Sequence, residues 1–146
     1  MKLHQLSVFL ENRPGALSAP CRVLADAGIN LMTLSLADTR EFGILRVIVR
    51  DWQEAKRTLE EKGCVVKVTE VVAVEVPDRP GGLADLLEVF DRETINLEYM
   101  YAFTVKQGEL SLLVFRFTDP DAAVRSLREA GVRVVDEAEL LDRIDR

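Results

Sequence analysis

Glu11-Asn12-Arg13-Pro14-Gly15-Ala16-Leu17 decides the fold, because the chain writes it twice: Pro77-Asp78-Arg79-Pro80-Gly81-Gly82-Leu83 stands 66 residues later. Each copy follows a strand-like run and opens a helix-like run. Proline fixes one backbone dihedral, and glycine turns where a Cβ would clash. The helix that follows presents unpaired N–H groups and the positive end of its dipole, a place suited to a carboxylate or a phosphate. Asn12 in one copy and Asp78 in the other stand three residues before the glycine. Together these features suggest a pocket for a small zwitterion.

Outward from the two turns, the chain spells one order twice. A strand over about Lys2–Leu10 leads to a helix over about Ala16–Ala27, with Leu17, Cys21 and Leu24 on one face and Gly28 as its stop. Pro20 falls about five residues into that helix, so a distorted first turn is expected. A second strand begins at Ile29-Asn30-Leu31, and a polar turn at Asp38-Thr39-Arg40-Glu41 leads to a third over Phe42–Val49. Asp51 reads as an N-cap with Glu54 three residues on. The helix over about Trp52–Lys62 stops at Gly63, and a fourth strand follows over Cys64–Val68. The second pass runs from strand Thr69–Val76 through helix Gly82–Glu93, strand Ile95–Val105, turn Lys106-Gln107-Gly108 and strand Glu109–Thr118. Asp119-Pro120 caps a helix to Ala130, and strand Val132–Val135 precedes a short polar helix with Leu140, Leu141 and Ile144.

The repeat survives counting. Val8–Leu31 matches Val74–Leu97 at 9 of 24 positions, including all of Ile29-Asn30-Leu31 against Ile95-Asn96-Leu97. With a two-residue slip in the turn after the second strand, Leu45–Val66 matches Leu113–Val134 at 8 of 22. The result is an α+β chain of two βαββαβ units, 1–68 and 69–146, each an antiparallel sheet with two helices on one face.

Composition narrows the function. Of 146 residues, 48% are hydrophobic and 30% charged, a globular balance with no run long enough for a membrane helix. The start, Met1-Lys2-Leu3-His4-Gln5, lacks the apolar core of a signal peptide, so a cytoplasmic protein is expected. The net charge is −6: residues 1–68 carry 10 basic and 8 acidic groups, and residues 69–146 carry 9 and 17. No basic stripe invites nucleic acid. Cys21 and Cys64 read as two reduced thiols, and one histidine without a CxxC pair leaves metal and cofactor unexpected. No catalytic set is visible: His4 is the only histidine, and neither a Walker loop nor a complete GxGxxG occurs.

The repeated turn, with Ala25-Asp26-Ala27-Gly28-Ile29-Asn30-Leu31 and Phe42-Gly43-Ile44-Leu45-Arg46, resembles the ACT domain, an amino-acid-sensing module. The resemblance extends over nearly the whole chain and is similar to small stand-alone proteins of two ACT units. It implies a ferredoxin-like fold whose units pair side by side and bind a free amino acid at the seam. The implied ligand-binding residues are Asn12, Gly15, Ala16, Leu17, Asn30 and Leu31, with Asp78, Gly81, Gly82, Leu83, Asn96 and Leu97. Met32 and Thr33, and by position Glu98 and Tyr99, would set side-chain selectivity. Leu10 and Val76 stand where some serine-sensing members place a polar residue, so serine is not implied.

The resemblance further implies a non-enzymatic allosteric regulator, a homodimer, read by a partner enzyme. The alternative is a regulatory or structural subunit that binds a partner protein without a small ligand. Plainer readings stand beside these. Asn30 and Asn96 could bond local backbone, Arg13 and Arg79 could pair with nearby acids, and Tyr99, Tyr101, Phe103 and Trp52 read as packing. His4 reads as a satisfied surface or edge residue.

Overall fold

The computed structural model describes residues 2–38, 41–103 and 110–144. Its elements are β1 (Leu3–Glu11), α1 (Ser18–Asp26), β2 (Leu31–Asp38), β3 (Phe42–Val49), α2 (Trp52–Glu61), β4 (Val65–Pro77), α3 (Gly82–Arg92), β5 (Leu97–Ala102), β6 (Leu110–Phe117), α4 (Pro120–Glu129), β7 (Val134–Val135) and α5 (Glu137–Ile144). This is the α+β arrangement of two βαββαβ units with antiparallel strands. The chain divides into two compact units, His4–Thr69 and Met1–Leu3 with Glu70–Arg146. The turn expected at Lys106-Gln107-Gly108 and residues Thr39 and Arg40 lie outside the described residues.

In the first unit, β3 lies between β1 and β2. Val8, Leu45 and Leu36 share one rung, as do Glu11 and Phe42 at one end of the sheet. Leu6, Val8, Leu45, Val47 and Val49 meet Leu24 of α1 and Ala55 and Leu59 of α2 in a dry core. Asp51 caps α2 as its sequence implies, accepting from the Glu54 N–H at 3.1 Å. Pro20 acts as expected: the Ala19 N–H bonds the Gly15 carbonyl at 3.1 Å, Pro20 has no N–H to make the next such bond, and the regular helix starts only at Ser18, two residues later than its repeat counterpart α3; the Pro20 ring is buried. His4 is half-buried, with its ring stacked on Trp52 at 4.7 Å. Its Nδ1 is buried without a hydrogen-bond partner among the described residues, where an edge position with a satisfied ring was expected. Both cysteines are free and half-buried against this core, and burial pushes the Cys64 thiol up.

In the second unit, β6 pairs with β4 and β5, and β7 pairs with β4. Val72, Val74 and Val76 point toward α3 and α4, into a core with Phe90, Phe115, Phe117 and Leu127. The strands expected over Cys64–Val68 and Thr69–Val76 are one continuous 13-residue strand, β4. Val65, Val66, Val68, Thr69, Val71, Val72, Val74 and Val76 make the stretch dense in β-branched residues, with no Gly, Pro or Asn to turn it before Pro77. Glu75 points from the opposite face, nine-tenths buried, and bonds Arg133 at 3.1 Å and Arg143 of α5. Glu139 of α5 bonds Arg143 at 2.6 Å and also Arg133, closing a ring of four charges. The Arg143 hydrogen bond holds the Glu139 carboxyl below its usual range, with burial working against it and Arg133 adding to the lowering. So α5 covers the sheet face that α3 and α4 leave, and its Leu140 is buried.

Three of the four repeat helices end in a glycine with positive φ: Gly28 (75°), Gly63 (84°) and Gly131 (77°). The fourth, α3, has Thr94 there at φ 55°, a strained conformation for a β-branched residue. The hydrogen bond that closes the helix is kept, from Ile95 N–H to the Phe90 carbonyl at 2.9 Å. Thr94→Gly is therefore expected to raise stability by about 0.5–1 kcal/mol, the relieved strain exceeding glycine's added chain entropy. Urea unfolding of the two proteins checks this, and a loss of stability would contradict it.

Candidate functional site

The two Arg-Pro-Gly turns share three backbone hydrogen bonds. The Arg13 N–H donates to the Glu11 carbonyl at 3.0 Å, as Arg79 does to Pro77 at 3.0 Å. Ala16 donates to the Arg13 carbonyl at 3.2 Å, and Gly82 to Arg79 at 3.0 Å. Ala19 reaches Gly15 at 3.1 Å, and Asp85 reaches Gly81 at 2.9 Å. Gly15 and Gly81 share φ 86°, which the turn requires and glycine alone supplies cheaply. The arginines pair locally, Arg13 with Glu11 at 2.9 Å and Arg79 with Asp85 at 3.1 Å. All four of those side chains are more than half exposed, so these pairs hold their geometry only weakly.

These bonds alter which donors can meet a ligand. The N–H groups of Ala16 and Gly82 are committed within their turns. The next two, on Leu17 and Ser18 and on Leu83 and Ala84, take no backbone partner, as the opening turn of a helix leaves them. The side chains of Leu17 and Leu83 are exposed beside the turns, at 41% and 38%.

Asn12, Ala16 and Leu17 line a cleft of ≈ 70 Å³ in the first unit. Leu36 and Gly43 join them, residues that only the pairing of β2 with β3 brings there. That volume is about two waters' worth, too small for a whole amino acid. In the second unit a cleft of ≈ 280 Å³ opens between the turn and the start of β7. Gly82 lines it with Arg79 and Asp85, over a floor that includes Val76, Leu86 and Val132. Asp78, Gly81 and Leu83 are not among its walls.

Asn30 and Leu31, and Asn96 and Leu97, lie elsewhere in their own units. Glu11 pairs with Phe42 while Leu31 pairs with Val49, at opposite ends of β3. At about 3.3 Å per residue, that is a separation of roughly 23 Å. The second unit repeats it: Pro77 pairs with Leu110, and Leu97 with Phe117. No unit therefore brings its own turn to its own Asn-Leu pair. Asn96 has local work as well, donating to the Thr118 hydroxyl at 2.7 Å and accepting from the Thr118 N–H at 3.2 Å.

One shared feature was not visible in the sequence. Each second strand breaks register just after it starts, between Leu31 and Thr33 and between Leu97 and Tyr99. The skipped residues are Met32 and Glu98, 66 apart like the turns. Met32 and Thr33 are buried, and Glu98 bonds Arg116 at 3.2 Å. Such bulges re-aim side chains. A hydrophobicity pattern carries no mark of them.

Among the described residues, no three His, Cys, Asp or Glu side chains are placed to hold a metal ion, and no helix is long and apolar enough to cross a membrane.

Residues 1–144 match the family profile described as "ACT domain pair". The crystal structure of protein BT0572 from Bacteroides thetaiotaomicron is 36% identical in sequence, with a TM-score of 0.89 and 96% of each chain covered. The regulatory subunit of aspartate kinase from Thermus flavus, at 17% identity and a TM-score of 0.60, covers 89% of this chain and 94% of its own. Its ligand-free counterpart from Thermus thermophilus, at 18% and 0.61, covers 87% and 91%. At such identities the last two establish likeness of fold. No curated protein matches the chain.

Proposed function

The chain belongs to the ACT domain pair family, and from that premise we propose that it is a non-catalytic regulator that binds a free amino acid and signals to a metabolic enzyme. The observation that carries this reading is the three backbone bonds and the glycine dihedral that the two turns share. A turn serving only to reverse the chain has no need of the same glycine dihedral and donor pattern 66 residues apart. In this reading the free N–H groups after each turn take the α-carboxylate, a dipole contribution of about 0.3–2 kcal/mol. Asn12 and Asp78 take the α-ammonium. The small first cleft is half of a site. Two units related by a two-fold axis, in one chain or in a homodimer, would bring the turn of one to the Asn-Leu pair of the other. Ligand would then favour one arrangement of units by its differential affinity for it.

Thermal melting of the protein with each of the 20 amino acids in turn tests this. A ligand at about 100 times its dissociation constant adds roughly 2.7 kcal/mol, a rise of about 5–10 °C for a chain this size. One amino acid, or a chemically related few, is expected to give that rise, with Asn12→Ala and Asp78→Ala each removing the part due to its own turn. If no amino acid moves the transition, the zwitterion reading fails. A partner-binding subunit then takes its place, favoured by Leu34 and Leu36, each 49% exposed on the edge strand β2.

A further inference from the structure

The larger cleft lies wholly within the second unit, and Asp78, Gly81 and Leu83 stay out of its walls. Its floor is the outer side of the core: Val76 and Leu86 are buried there, and Val89 and Val132 are half-buried. Its ≈ 280 Å³ is about nine waters' worth, room for a molecule of about nine non-hydrogen atoms. One ion pair stands on its wall. Arg79 Nη2 donates to Asp85 Oδ2 at 3.1 Å, while Nη1 donates to the Pro80 carbonyl at 3.1 Å. The first unit turns the matching arginine the other way, with Arg13 bonded to Glu11 before its turn. The repeat sets Pro77 against Glu11 and Asp85 against Ala19. The acid has thus moved from before the turn to the wall of the cleft. Arg133, which also lines the cleft, is neutralised by Glu75 and Glu139. The Arg79–Asp85 pair is more than half exposed, so opening it costs little.

We propose that this cleft binds a free amino acid with a branched apolar side chain, held by the second unit alone. The ligand's carboxylate lies on Arg79, its ammonium on Asp85, and its side chain on the floor of Val76, Leu86, Val89 and Val132. An opposite-charge pair at the mouth of an apolar cleft is complementary to a zwitterion, whose two charges meet it head to tail. A ligand with one charge would leave half of the pair without its partner. A ligand with a third charge would set that charge on the apolar floor. A few convergent polar groups over an apolar lining are what small-molecule sites present. The proposal rests on the amino-acid reading above, but it needs neither a neighbouring unit nor the N–H groups that follow the turn.

The test is calorimetric titration of the full chain with leucine, isoleucine and valine, then with the other amino acids. Saturable binding of the branched three is expected, and none of aspartate or lysine. Isocaproate, which is leucine without its ammonium, and isoamylamine, which is leucine without its carboxylate, are each expected to bind at least about 10-fold more weakly. Asp85→Asn, an isosteric change at an exposed position, is expected to weaken leucine about 10-fold. Val132→Phe, which fills the cleft, is expected to abolish binding. If Val132→Phe loses its melting transition, Asp85→Asn decides. Isocaproate binding as tightly as leucine overturns the zwitterion in the cleft. Binding confined to polar amino acids, or leucine binding that Asp78→Ala removes and both cleft variants keep, overturns the cleft while keeping the amino-acid reading. No binding by any amino acid overturns both.

Discussion

Phe90→Ala is expected to remove about 4 kcal/mol of folding stability and lower the melting point by about 10 °C. Phe90 is 3% exposed on α3. Its ring stands edge-on to two others, Phe115 at 5.3 Å and 89° and Phe117 at 5.3 Å and 87°. Those two stack on each other at 5.7 Å. Truncation loses two aromatic pairs, worth about 0.5–1.5 kcal/mol each beyond their area, and leaves a cavity that two stacked rings at alternate positions of one strand cannot close. In the first unit the repeat places Leu24, Val47 and Val49 at these positions. Phe90→Leu keeps most of the volume and is expected to cost less, about 1.5 kcal/mol. Urea unfolding measures both. A Phe90→Ala loss no greater than that of Phe90→Leu would mean that shape and ring geometry contribute nothing here.

Gly82→Ala looks harmless, since it makes the second turn match the first, where Ala16 stands. It is nevertheless expected to cost about 2–3 kcal/mol. A Cβ on Gly82 would lie 2.2 Å from the Pro77 carbonyl oxygen and 3.3 Å from its carbon, both backbone atoms that cannot swing aside. Either α3 or the end of β4 must move, and the wall of the larger cleft moves with it. Gly15→Ala is the control. Nothing lies within 4 Å of the added atom there, so only its φ of 86° opposes the change, at about 1–2 kcal/mol. Melting of both variants separates the causes. A Gly82→Ala protein as stable as wild type would show that α3 shifts freely, and the two turns would then be interchangeable.

Much of this molecule is local and therefore legible in its residues. The Asp51 and Asp119 caps, the stop glycines and the two Arg-Pro-Gly turns each depend on a few neighbouring dihedrals and short hydrogen bonds. The order of elements follows from hydrophobic period, and the doubling of the fold from simple counting.

The sequence by itself determined the two units, their element order and the residues of both turns. Only tertiary structure decided which residues meet across strands and between layers. Pairing of β2 with β3 carried Leu36 and Gly43 to the first cleft, and the same ladders set each Asn-Leu pair at the far end from its own turn. Packing decided that Gly82 is obligatory where Ala16 is tolerated, and that α5 locks onto Glu75 while Phe9 stays open. The physical reason is reach. A residue's dihedrals and caps answer to neighbours within about one helical turn, whereas strand register, steric fit and ion pairing join positions dozens of residues apart, and no local pattern encodes those distances.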